Sequence, residues 1–175
     1  MAISPYWQGD LDSLCGLYSA VNSMRLMMPH LSGKDSAMIF VRILRHIEKR
    51  KKLSNVLAHG ISPQELNGIL KEVMVNGYSI RVKRPFLRSK KTPSVKDFVK
   101  AVKTFLQDDQ GRAVIIDIES CGHWSVVKKI TQREIHLSDS TQMKRFNLKR
   151  CTTKGSTFKK PHHIDPRHTF FLSRE

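Results

Sequence analysis

The chain has 175 residues, 39% of them hydrophobic, and its 31 lysines and arginines exceed its 15 acidic residues by 16. That length and apolar share are enough to bury one core without disulfide support, so a single domain over residues 1–175 is expected. Three cysteines (Cys15, Cys121 and Cys151), no membrane-length apolar run and no basic segment followed by an apolar stretch argue against a disulfide scaffold, a helical membrane protein and a classical signal peptide.

From Asp12 onward Leu14, Leu17, Tyr18, Val21, Met24 and Met28 recur at helical spacing, which predicts a core-facing helix ending before Pro29, with Asp12 or Ser13 as its cap. A second helix is expected from about Asp35 to Lys51, with Ile39, Phe40, Ile43, Leu44 and Ile47 inward and basic residues outward. Ser62-Pro63-Gln64-Glu65 has a capping serine, a proline at the first helical position and a glutamate three residues after the cap, and opens a helix through Val73. Asn76-Gly77 reads as a break and Tyr78 to Lys83 as a short strand. After a loop from Arg84 to Pro93, Ser94 and Asp97 cap a helix with Val95, Phe98, Val99, Val102, Phe105 and Leu106 inward.

The second half turns to strands: Ala113 to Ile118, His123 to Ile130, Glu134 to Leu137, Met143 to Leu148 and His168 to Leu172, with Thr152 to Arg167 as a long loop. Helices first and an antiparallel sheet second define an α+β fold. The positive charge is spread over the chain, densest at Arg45 to Lys52, Arg81 to Lys91 and Lys144 to Lys160. It comes with no zinc-finger spacing, aromatic RNA-stacking motif or helix-turn-helix signature, so an acidic partner surface is expected over specific nucleic-acid recognition.

Two segments carry chemistry. Gln8-Gly9-Asp10-Leu11-Asp12-Ser13-Leu14-Cys15-Gly16 puts Cys15 in the first turn of a predicted helix, where free backbone N–H groups and the helix dipole favour the thiolate. Gln8 offers an amide that can join the Cys15 N–H in holding an oxyanion. Cys121-Gly122-His123-Trp124-Ser125-Val126-Val127 starts a strand with a histidine, and Leu137-Ser138-Asp139-Ser140 follows a turn near Thr131-Gln132 that lies about midway between His123 and Asp139. Two antiparallel strands can therefore set these two side by side, the aspartate holding one ring nitrogen and the other facing the thiol, with Ser138 and Asp117 as rivals for the role of Asp139. Trp124 is expected to cover the pair or to be a plain core residue, and Asn22 to be a helix-surface amide or a supporting group. No pair among Cys121, Cys151, His162, His163 and His168 has a closed zinc spacing, so no metal and no cofactor is expected.

These residues, in this order, resemble the papain-like cysteine peptidases and within them the C39-like branch. The resemblance rests on Gln8, the Asp12 to Gly16 stretch, the helix with Tyr18 and Asn22, His123-Trp124-Ser125-Val126-Val127, and Asp139. It departs from the pattern in the seven-residue step from Gln8 to Cys15, against six in papain, and no transporter segment follows, which points to a free-standing peptidase. The resemblance implies a papain-like fold, with the nucleophile on the first long helix packed on a C-terminal antiparallel sheet. It implies a triad of Cys15, His123 and Asp139 with Gln8 in the oxyanion hole, and glycine on the acyl side of the cut. It further implies an effector toxin acting on a bacterial cytoplasmic protein, either cytoplasmic itself or delivered by a specialised secretion system, and blocked by an inhibitor protein. The same acyl-thioester chemistry also supports glutamine deamidation or transglutamination, and a basic nucleic-acid-binding module with an incidental cysteine stands as a reading from another class.

Overall fold

A computed structural model describes residues 4–107 and 111–174. Helix α1 (Cys15–Met27) is followed by α2 (Gly33–Glu48), α3 (Leu53–His59) and α4 (Pro63–Ile69). α4 runs through a π-helical turn, Leu70–Val75, into α5 (Asn76–Tyr78). Strand β1 (Ile80–Lys83) and helix α6 (Val95–Gln107) precede the strands β2 (Arg112–Ile118), β3 (His123–Ile130), β4 (Glu134–Ser138), β5 (Arg145–Asn147), β6 (Cys151–Thr152) and β7 (His162–Arg174).

Six strands lie in the order β1-β7-β2-β3-β4-β5, each antiparallel to its neighbours, and β6 pairs with β7 in parallel. The sheet is covered on both faces, which is why β2 reads as a nearly unbroken apolar run rather than an alternating one. Ala113 and Ile115 of β2 join Leu17, Ala20, Val21 and Met24 of α1 in one core, which α2, α3 and α4 close from outside. Val114, Ile116 and Ile118 point the other way, onto Phe98 and Val102 of α6. The α+β class and the antiparallel sheet expected from the sequence are thus present.

Several boundaries differ from the sequence reading, for local reasons. α1 starts at Cys15 with Leu14 in the cap position and no side-chain cap; Asp12 stays in the preceding loop, where its carboxylate accepts from the N–H groups of Gly9 (2.8 Å) and Leu14 (3.0 Å). α2 starts two residues earlier than expected because Ser32 and Asp35 form a reciprocal capping box, with Asp35 at its third position. α3 was not anticipated: only Val56 of its seven residues is buried, too few to make a period visible. Asn76-Gly77 does not end the helix, which reaches Tyr78 before Ser79 turns left-handed at φ 53°. The stretch expected as a loop from Thr152 to Arg167 contains Thr152 in β6 and nearly the first half of β7, so His162 and His163 belong to a strand. β5 covers only the middle of the Met143 to Leu148 segment.

Candidate active site

α1 presents its first residue, Cys15, to the start of β3. The Cys15 side chain is buried, its Sγ accepts from the Trp124 backbone N–H at 3.5 Å, and it lies close enough to His123 to favour the charged imidazole. Gly16 makes this approach possible: a Cβ there would lie 2.6 Å from the Ile61 side chain and 3.1 Å from the Trp124 ring. Trp124 also donates its indole N–H to the Ile61 carbonyl at 3.1 Å, so the start of α1 is wedged against the residue next to His123.

Asp139 reaches the site through the β3–β4 register. Val126 opposes Ser138, and one further step places Asp139 beside Ser125, two residues from His123 on the same face. The two are diagonal rather than directly opposite, a separation an imidazole can span. A bulge between Val127 and Lys129 fixes this outcome: the ladder running in from Ile130↔Ile135 and Lys129↔His136 would, continued without it, set Ser140 beside Ser125 and turn Asp139 to the other face.

His123 Nε2 lies 2.7 Å from Asp139 Oδ2, and both side chains are nearly closed to solvent, at 9% and 1% exposure. With Nε2 on the carboxylate, Nδ1 is the nitrogen left for Cys15. The other carboxylate oxygen, Oδ1, accepts from Thr141 N–H (2.7 Å), Thr141 Oγ1 (2.8 Å) and Met143 N–H (3.3 Å). Burial disfavours the imidazolium, but the hydrogen bonds to Asp139 and Cys15, with their charges, outweigh it and raise the His123 pKa from 6.5 to about 9. Burial likewise pushes Asp139 up, yet the hydrogen bond from His123, the nearby Ser125 hydroxyl, the imidazolium charge and the Thr141 N–H hold it below the ordinary 3.8. The buried Ser125 hydroxyl has no hydrogen bond of ordinary geometry, but it is close enough to bias the carboxylate toward its charged form.

Gln8 is anchored beside this loop. Its backbone N–H donates to the Ser140 carbonyl at 3.0 Å, Ser140 Oγ donates to its Oε1 at 3.1 Å, and its Nε2 donates to the Asp12 carbonyl at 3.1 Å. One Nε2 hydrogen is left over from these bonds. Asn22 explains why the segment runs here: it is 1% exposed and pins Tyr6 by paired hydrogen bonds of 2.8 and 3.1 Å, so it is a buried anchor and not the surface amide that was one expectation.

The other expectations sort plainly. Trp124 belongs to the core on the α1 face, 6.0 Å from the Phe170 ring, and does not cover the His123–Asp139 pair; a neighbour in a strand cannot share the histidine's face. Asp117 is engaged elsewhere, 2.9 Å from His168 Nδ1, and Ser138 is the last residue of β4. All three cysteines are free thiols, with Cys151 pushed up to about 11 by burial. Among the described residues no group of three or more His, Cys, Asp or Glu is placed to hold a metal, and no helix is long and apolar enough to cross a membrane. Sequence reading missed Thr141 as a donor to Asp139 and Ser140 as the clamp on Gln8; hydroxyls one and two residues after an aspartate were the available signal.

No family model, curated protein or solved structure matches the chain.

Proposed function

We propose that the chain is a papain-like cysteine hydrolase resembling the C39-like branch, acting as an endopeptidase through Cys15, His123 and Asp139, with Gln8 in the oxyanion hole. The observation that carries this reading is the buried His123–Asp139 pair at 2.7 Å beside a cysteine at the first residue of a helix, whose Sγ accepts from the N–H of Trp124, the residue after His123, at 3.5 Å. A structural ion pair needs no thiol, and a core cysteine needs no imidazole.

In this mechanism Cys15 Sγ attacks the carbonyl carbon of the scissile bond while its proton resides on His123. The developing oxyanion is held by the Cys15 N–H, one of the donors a helix start leaves unpaired, and by the remaining Gln8 Nε2 hydrogen. His123 then gives its proton to the leaving amine, and an acyl-thioester remains on Cys15. Water attacks the thioester, His123 takes up one of its protons, and the acid product leaves as Sγ is released. Asp139 keeps Nε2 occupied, so that Nδ1 faces the sulfur throughout.

The preference for glycine on the acyl side, the bacterial target and the inhibitor protein are the finer part of the proposal and rest on the resemblance. The test is a proteome-wide survey of new N-termini in cells expressing the wild type or Cys15→Ala. New termini confined to the wild type support the peptidase; identical termini sink it, and a one-dalton gain on target glutamines in their place assigns deamidation.

A further inference from the structure

Away from the thiol, α2, α3 and α4 enclose a cavity of about 210 Å³. Its floor is aliphatic, from Ile47, Val56, Ile61 and Ile69, and Gly68 lines it where a larger residue would fill it. Apolar cavities of ~150 Å³ accept benzene, so this one admits a whole phenyl or leucine side chain. Its rim is cationic. Lys51 is neutralised by Glu65 at 3.0 Å, but Arg50, also on the rim, has no ion-pair partner among the described residues.

The cationic rim continues beyond the cavity as an open groove along α2, through Arg42, Arg45, Lys49 and Arg50, with Glu72 its one acidic lining residue. All four basic residues are exposed. Arg42 to Arg50 spans about 12 Å along the helix, longer than a small anion and matched to a run of several carboxylates. The far wall of the groove includes Glu72 and Val73 of the π-helical turn, an irregularity often retained where something binds.

We propose that this cavity and groove are a docking site for an acidic segment of a protein partner, with one apolar side chain seated on Ile47, Val56, Ile61 and Ile69 and carboxylates on Arg45, Lys49 and Arg50. A nucleic-acid backbone would satisfy the cations and leave the aliphatic floor in water; an acidic peptide with one apolar anchor satisfies both. The site also touches the thiol end of the fold. Ile61 is shared: it lines the cavity, its side chain abuts Gly16, and its carbonyl holds the Trp124 indole. Filling the cavity therefore presses on the residue after Cys15.

The inference is tested by binding and stands apart from the hydrolase reading. Fluorescence anisotropy of the full chain is measured with a fluorescein-labelled twelve-residue peptide of glutamates, glycines and one central phenylalanine, with the same peptide carrying serine for phenylalanine, and with a labelled twelve-nucleotide thymidine strand. The phenylalanine peptide should bind at least tenfold tighter than the serine peptide. A Cβ at Gly68 would meet only His46 Nε2, at 3.8 Å, so Gly68→Leu is accommodated and should remove that advantage while leaving the serine peptide unchanged. Arg50→Glu should weaken both peptides about tenfold. Equal affinity of the two peptides for the wild type overturns the proposal, whatever the variants do. So does a thymidine strand that binds tighter than the phenylalanine peptide and is indifferent to Gly68→Leu.

Discussion

The molecule carries two histidine–aspartate pairs of nearly equal length, 2.7 Å between His123 and Asp139 and 2.9 Å between His168 and Asp117, and their surroundings make them different objects. Asp139 has its second oxygen filled by three donors and sits below its ordinary pKa. Asp117 is raised by burial, with His168 pulling it down and the charges of Glu119 and Asp165 adding to the rise. Its histidine is a third exposed and faces a second carboxylate, Asp165, at 3.5 Å. Among the described residues only the first pair has a thiol acting on its imidazole's charge. A short contact between the two residue types thus says little by itself; the groups on the carboxylate's far oxygen and on the ring's far nitrogen decide what the pair can do.

The contrast is broken most sharply by Asp139→Asn against Asp117→Asn. On the proposed mechanism, peptidase turnover should fall on the order of 10²–10⁴-fold in the first and stay within about threefold in the second, measured as kcat/KM on a substrate found by the N-terminus survey. An equal loss in both would remove the distinction. The pH dependence comes next. A histidine raised from 6.5 to about 9 contributes stability that is complete below 6.5 and is lost as pH rises through 9. Activity and unfolding free energy should both decline toward that pH, the apparent value belonging to the coupled Cys15–His123 system. In Asp139→Asn the alkaline limb of the stability profile should move toward 6.5.

A smaller effect is expected from Thr141→Val, which removes one hydroxyl from Asp139 Oδ1 and leaves two N–H donors in place. The loss should be about 1 kcal/mol in stability by denaturant unfolding and a few-fold in turnover. Deleting Lys128, the exposed residue in the β3 bulge, should do least. Val127↔Leu137 and Lys129↔His136 can keep their partners without it, so activity within about twofold of the wild type is the expected assay result.

What the sequence made legible was what is encoded locally. The capping box at Ser62, the Ser94–Asp97 cap and the apolar stripes of α1 and α6 lie within a few consecutive residues, and the structure has them where the pattern put them. α3 and the first part of β7 were hidden because neither repeats an apolar period: one buries a single valine, and the other contains Pro166 and a register shift against β2 between Ile115 and Asp117. Within the site, Cys15, His123 and Asp139 could be placed near one another from a helix start and a hairpin midpoint. Their diagonal relation depended on a bulge that no residue type announces. Trp124 was a readable case only half read, because strand parity alone separates it from the face of its neighbour.

The bulge in β3 also bears on how such a chain would be matched to distant kin. An extra residue between His123 and Asp139 is absorbed as a bend in one strand, and the two side chains meet regardless. The interval between the histidine and the aspartate can therefore differ by one between proteins whose sites superimpose. Spacing within the hairpin is then a poor signature of ancestry, and the face on which each residue lies is the better one.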